Sequence, residues 1–91
     1  MSTGFQGADP EDLRRFALDL EHAHDILLTV KNELNTRITS QLRWEGPDAF
    51  VFKHAWRSSY APVIVRAATM LEDTAHTLKA QAAAQETTSS S

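Results

Sequence analysis

Ninety-one residues without a cysteine allow one domain and exclude disulfides. A formal net charge of −3 and a pI near 5.7 leave no concentrated basic face for nucleic acid. No run approaches the ~20 apolar residues of a membrane span, and Met1-Ser2-Thr3-Gly4-Phe5 lacks the basic and apolar regions of a cleaved signal peptide.

Residues 1–8 hold two glycines and little pattern, and are expected to be a flexible lead-in. Asp9-Pro10-Glu11-Asp12 is a helix start: Asp9 can cap, Pro10 suits the first helical position, and the acids favour the positive end of the dipole. From there Leu13, Phe16, Leu20, Ala23, Leu27, Val30 and Leu34 advance in alternating steps of three and four, continued by Ile38 and Leu42. With no Gly or Pro inside it, the first helix is expected over about 10–43.

Gly46-Pro47 reads as a stop followed at once by a start. Gly tolerates conformations that other residues avoid, and Pro cannot extend a helix arriving from its N-terminal side but fits the first turn of a new one. A turn at 44–46 and a second helix over about 47–84 follow. Its expected seam is Ala49, Phe52, Trp56, Tyr60 or Ser59, Val63, Ala67, Met70 or Leu71, Thr74 and Leu78. Pro62 removes a donor and crowds the carbonyl of Ser58, so a bend near 58–62 is expected. Residues 87–91 form a polar Thr/Ser tail, expected to be disordered.

The fold class is therefore all-α, an antiparallel helix-turn-helix hairpin. Two helices have no third element against which to bury their apolar stripes. Chains this small usually need disulfides, a metal or a partner. Without thiols, a partner chain remains.

Chemistry is sparse. His22 and His24 are two apart and point to different helix faces, His54 and His76 are distant, and no His-Glu-x-x-His occurs. A pairing of His22 with Asp25 on a solvated face is the expected use. There is no Gly-x-Ser-x-Gly turn and no Gly-rich phosphate loop, so no catalytic residue, metal ligand or cofactor is expected. Trp44 and Phe50 at the bend are harder for one hairpin to hide than Phe52 and Trp56, which sit on the seam.

Trp44-Glu45-Gly46 at mid-chain resembles the Trp-x-Gly signature of the WXG-100 family of small early-secreted-antigen-like proteins. The downstream Ala49, Phe52 and Trp56, the two flanking amphipathic helices and the chain length extend the resemblance over residues 9–86. It implies a hairpin that dimerises into a four-helix bundle and is exported as a folded dimer by type VII (ESX) secretion without a cleaved signal peptide. It implies a secretion ATPase that reads a C-terminal Tyr-x-x-x-Asp or Tyr-x-x-x-Glu. Here Glu86 is preceded four residues earlier by Ala82, and the only tyrosine, Tyr60, is followed by Ile64, so the signal is incomplete.

The expectation is thus a small secreted, non-enzymatic protein, the signal-less partner in a heterodimer with a second chain of this kind, a homodimer being the alternative. Leu13, Phe16, Leu20, Leu27, Val30, Leu34, Phe52, Trp56, Val63, Leu71 and Leu78 form its hairpin and dimer core. Trp44 and Gly46 form the turn and the surface that the secretion system reads. The rivals are an intracellular helical adaptor or regulatory module, and an effector that perturbs membranes through its apolar seams.

Overall fold

The computed structural model describes residues 8–90, with side chains described through Thr87. Helix α1 spans Pro10–Thr36, α2 Pro47–Ala55 and α3 Ala61–Ser90. A wide π-helical turn, Arg37–Gln41, ends the first arm, and a second, Trp56–Tyr60, joins α2 to α3. There are no strands among the described residues, and the two arms lie side by side as an antiparallel hairpin measuring 66 × 19 × 18 Å. The lead-in at 1–7 and Ser91 fall outside the described residues.

The local signals act as their chemistry requires. Asp9 caps α1, its side chain accepting from the Glu11 amide at 2.9 Å, with Pro10 in the first turn. The first arm closes at Gln41 rather than 43: the Leu42 amide donates to the Arg37 carbonyl at 2.7 Å, and Leu42 itself is extended. Gly46 starts α2 at φ 104° and ψ 179°, and its carbonyl accepts from Phe50 at 3.0 Å. At the far end α3 runs on to Ser90, past the boundary near 84. No Gly or Pro stops it, Ala80–Ala84 favour helix, and the Thr87 hydroxyl donates to the Ala83 carbonyl at 3.0 Å.

Pro62 is absorbed by widening the helix. The Ala61 amide donates back five residues to the Trp56 carbonyl, and the Ser58 hydroxyl to the His54 carbonyl at 2.8 Å. A π turn inserts one residue into the helical count. The inward seam therefore steps from Ala49 and Phe52 to Trp56, then five residues to Ala61, and onward through Ile64, Ala68, Leu71, Ala75, Leu78 and Ala82.

That phase shift corrects the seam drawn from uniform steps of three and four. The buried residues are Ala17, Ile38, Ala49, Trp56, Ala68, Ala75 and Ala82, and no large side chain is fully buried among the described residues. Of the expected core, Trp56 alone is buried. Leu13, Leu20, Leu27, Phe52, Leu71 and Leu78 are half-buried, while Phe16, Val30, Leu34 and Val63 are exposed. Alanine every seventh residue lets the two backbones approach closely, and the larger side chains are pushed to the flanks. Replacing Ala75, fully buried in the middle of this seam, by Leu should overpack it and destabilise the hairpin by about 1–3 kcal/mol. Urea unfolding followed by circular dichroism measures this, and an unchanged midpoint would refute the seam.

Candidate functional site

Two surfaces stand out: the bend, and one long side of the hairpin. At the bend, the Trp44 ring lies 5.5 Å from Phe52, and Phe52 lies 6.3 Å from Tyr60, both pairs tilted. Trp44 remains 38% exposed and Phe50 70%. With Glu45, Gly46, Ala49 and Lys53 they line a shallow open depression. Gly46 holds a backbone region essentially reserved to glycine, yet a Cβ built there meets nothing within 4 Å, so its constraint is torsional rather than steric.

Behind the bend, Trp56 is buried and its indole Nε1 donates to Asn35 Oδ1 at 3.1 Å. This pins the end of α1 to the start of the second arm. Asn35 carries no signal in the sequence, because a lone polar residue on a helix is ordinarily solvated; only the fold brings it to Trp56.

The two long sides of the hairpin differ in character. On one, polar contacts bridge α1 and α3: the ion pairs of Arg14 with Glu86 and of Lys79 with Glu21 at 2.5 Å, and His24 Nε2 4.0 Å from a Glu72 carboxylate oxygen. The hydrogen bond that Arg14 donates to the Glu86 carboxylate is the main reason its guanidinium is held more firmly protonated than usual. On the other side, helical geometry places Phe16, Leu20, Ala23, Leu27, Val30 and Leu34 of α1 beside Val63, Ala67, Met70 and Leu71 of α3. Phe16 is 52% exposed, Val63 52% and Met70 59%. A contiguous apolar face thus runs along the hairpin, opposite the ion pairs.

The remaining expected positions find structural uses. Ala82 is fully buried in the interhelical seam and Glu86 is engaged by Arg14, so this pair does not form an exposed helical turn. Asp25 bonds His24 Nδ1 at 2.9 Å in place of the expected His22. Among the described residues, no group of three or more His, Cys, Asp or Glu side chains is placed to hold a metal ion, and no helix is long and apolar enough to cross a membrane. No family model, curated protein or solved structure matches this chain.

Two substitutions test the site. Gly46→Ala should destabilise the fold by about 1–3 kcal/mol through backbone strain alone. Asn35→Ala should leave the Trp56 indole unpaired and lower stability by about 1–3 kcal/mol. Both are read by chemical denaturation, with Trp56 fluorescence expected to shift only in the second.

Proposed function

We propose that this chain is one half of a four-helix bundle, a hairpin whose open apolar face is covered by a second hairpin, and that the folded pair is cargo of a type VII (ESX) secretion system. The observation that carries the first half is the exposed face itself. A hairpin whose buried interior is mostly alanine gains little from burial, and Phe16, Val30, Leu34, Val63 and Met70 lie exposed along one side, where a second hairpin would cover them. A face along a rod 66 Å long and 19 Å wide offers room for the roughly 800 Å² per partner of a stable interface.

The second half rests on the resemblance of the Trp44-Glu45-Gly46 bend to the WXG-100 signature, with Trp44 part-exposed where a recognition component can reach it. The complete Tyr-x-x-x-Glu signal is missing from this sequence, and Ala82 is buried and Glu86 ion-paired. In this reading the sorting element is supplied by another chain in the cargo, and this chain contributes the bundle and the bend. It performs no catalysis and needs no cofactor.

Leu27→Asp would place a carboxylate on the covered face and should abolish assembly while leaving the monomer helical. Culture supernatants of an ESX-proficient host and of one lacking the secretion ATPase test export. Presence of the chain only outside the proficient cells is expected; equal amounts outside both would end the export reading.

A further inference from the structure

Trp56 is fixed to α1 by its hydrogen bond to Asn35, so the orientation of everything beyond it is set by the π turn that follows. As that turn stands, the row Ala61, Ile64, Ala68, Leu71 and Ala75 faces α1. One residue earlier on the same helix lies a second, largely apolar row: Tyr60, Val63, Ala67, Met70 and Thr74. Tyr60, Val63 and Met70 of this row are exposed. An α turn in place of the π turn would take one residue out of the helical count. It would roll α3 by roughly 100° and set the second row against α1. The second arm thus carries two seams, and the selection between them is made within Trp56–Tyr60.

We propose that Pro62 makes this selection: it is a phase lock that holds the π turn open and keeps the Tyr60 row outside. An α turn over this segment would press the Pro62 ring on the Ser58 carbonyl. The π turn widens the helix at this point. The Ala61 amide reaches back to the Trp56 carbonyl, and the Ser58 hydroxyl serves the His54 carbonyl at 2.8 Å.

The rest of α3 is divided between the two phases. Its near half favours the second row, which would cover Tyr60, Val63 and Met70. Its far half favours the first, because that row continues to Leu78 and Ala82 while the second reaches Thr77 and Gln81. The ion pairs of Arg14 with Glu86 and of Glu21 with Lys79 fit only the observed phase, since a roll would carry Lys79 and Glu86 to the back of α3. Exposed pairs return little, however, and a proline ring forced on a carbonyl costs several times as much. With the two halves opposed, the proline decides.

The lock determines what the hairpin shows to its surroundings. In the rolled phase Val63 and Met70 would leave the open side, and Arg66, Thr69 and Asp73 would come round to it. The apolar face would then lose the half that α3 supplies. This goes beyond the assembly proposed above and does not depend on what covers the face.

The absence of cysteine makes single-thiol probes clean. Ala68→Cys and Ala75→Cys each place a thiol at a buried position of the seam that a roll would turn to solvent. Labelling of the folded full chain by a maleimide should be slow at both. Adding Pro62→Ala should speed it about tenfold or more at both, while far-UV circular dichroism still reports a helical chain. Deleting Ser59 from the Pro62→Ala chain takes back the inserted residue. An unbroken α-helix then brings Ala61 to four positions after Trp56, and the slow rate should return. Loosened packing alone would not be repaired by removing a residue. Slow labelling retained in Pro62→Ala, or fast labelling that deletion of Ser59 does not reverse, would overturn the proposal.

Discussion

The close approach of two helices along an alanine seam is the constraint on which this molecule depends. Ala17 on one arm and Ala68, Ala75 and Ala82 on the other leave little space between the backbones, and along that seam the buried positions are alanines, Trp56 and Ile38 being buried only towards the bend. Leucines at the neighbouring positions are divided, half against the opposite arm and half outward. A hairpin built around larger residues would bury them within itself and keep the arms further apart. Here burial is deferred to the flank, and the apolar face follows from the thinness of the seam.

The other features serve register. The bridges from Arg14 to Glu86 and from Glu21 to Lys79 tie the open end and middle on one side only, and the bond from Trp56 to Asn35 ties the bend. Exposed pairs add little stability on their own. Their effect is to keep the charged side charged and leave the opposite side clear. At the bend, Gly46 reverses the chain through a torsion available to glycine, while Trp44 is steadied against Phe52 without being hidden. The same chain thus presents a long apolar surface on one side and a compact aromatic corner at one tip.

Much of the fold is legible in the sequence. Asp9-Pro10 and Gly46-Pro47 announce helix starts through chemistry confined to a few residues, and the structure uses them so. The seam of the second arm is harder. Counting in threes and fours from Trp56 reaches Tyr60, Val63 and Met70, which the structure leaves exposed, because the π turn before Pro62 adds a residue that periodicity does not contain. The proline is visible, but its effect on phase is not. Ala61, Ala68, Ala75 and Ala82 recur every seventh residue, and that repeat was the available signal; a search for large apolar residues passes over it. Asn35 had no signal at all, since its use depends on a ring twenty-one positions away.

An alanine interior also shapes how the chain responds to temperature. The heat capacity of unfolding follows the apolar surface newly exposed to water, and so does the sensitivity to denaturant. A hairpin that keeps Phe16, Phe50, Val30, Val63 and Met70 outside has already paid much of that exposure while folded. Alone, it should melt broadly along a shallow stability curve, and with its face covered the curve should steepen towards that of an ordinary globular domain. Calorimetry would then register assembly as curvature, even where the helix content of the two states is the same.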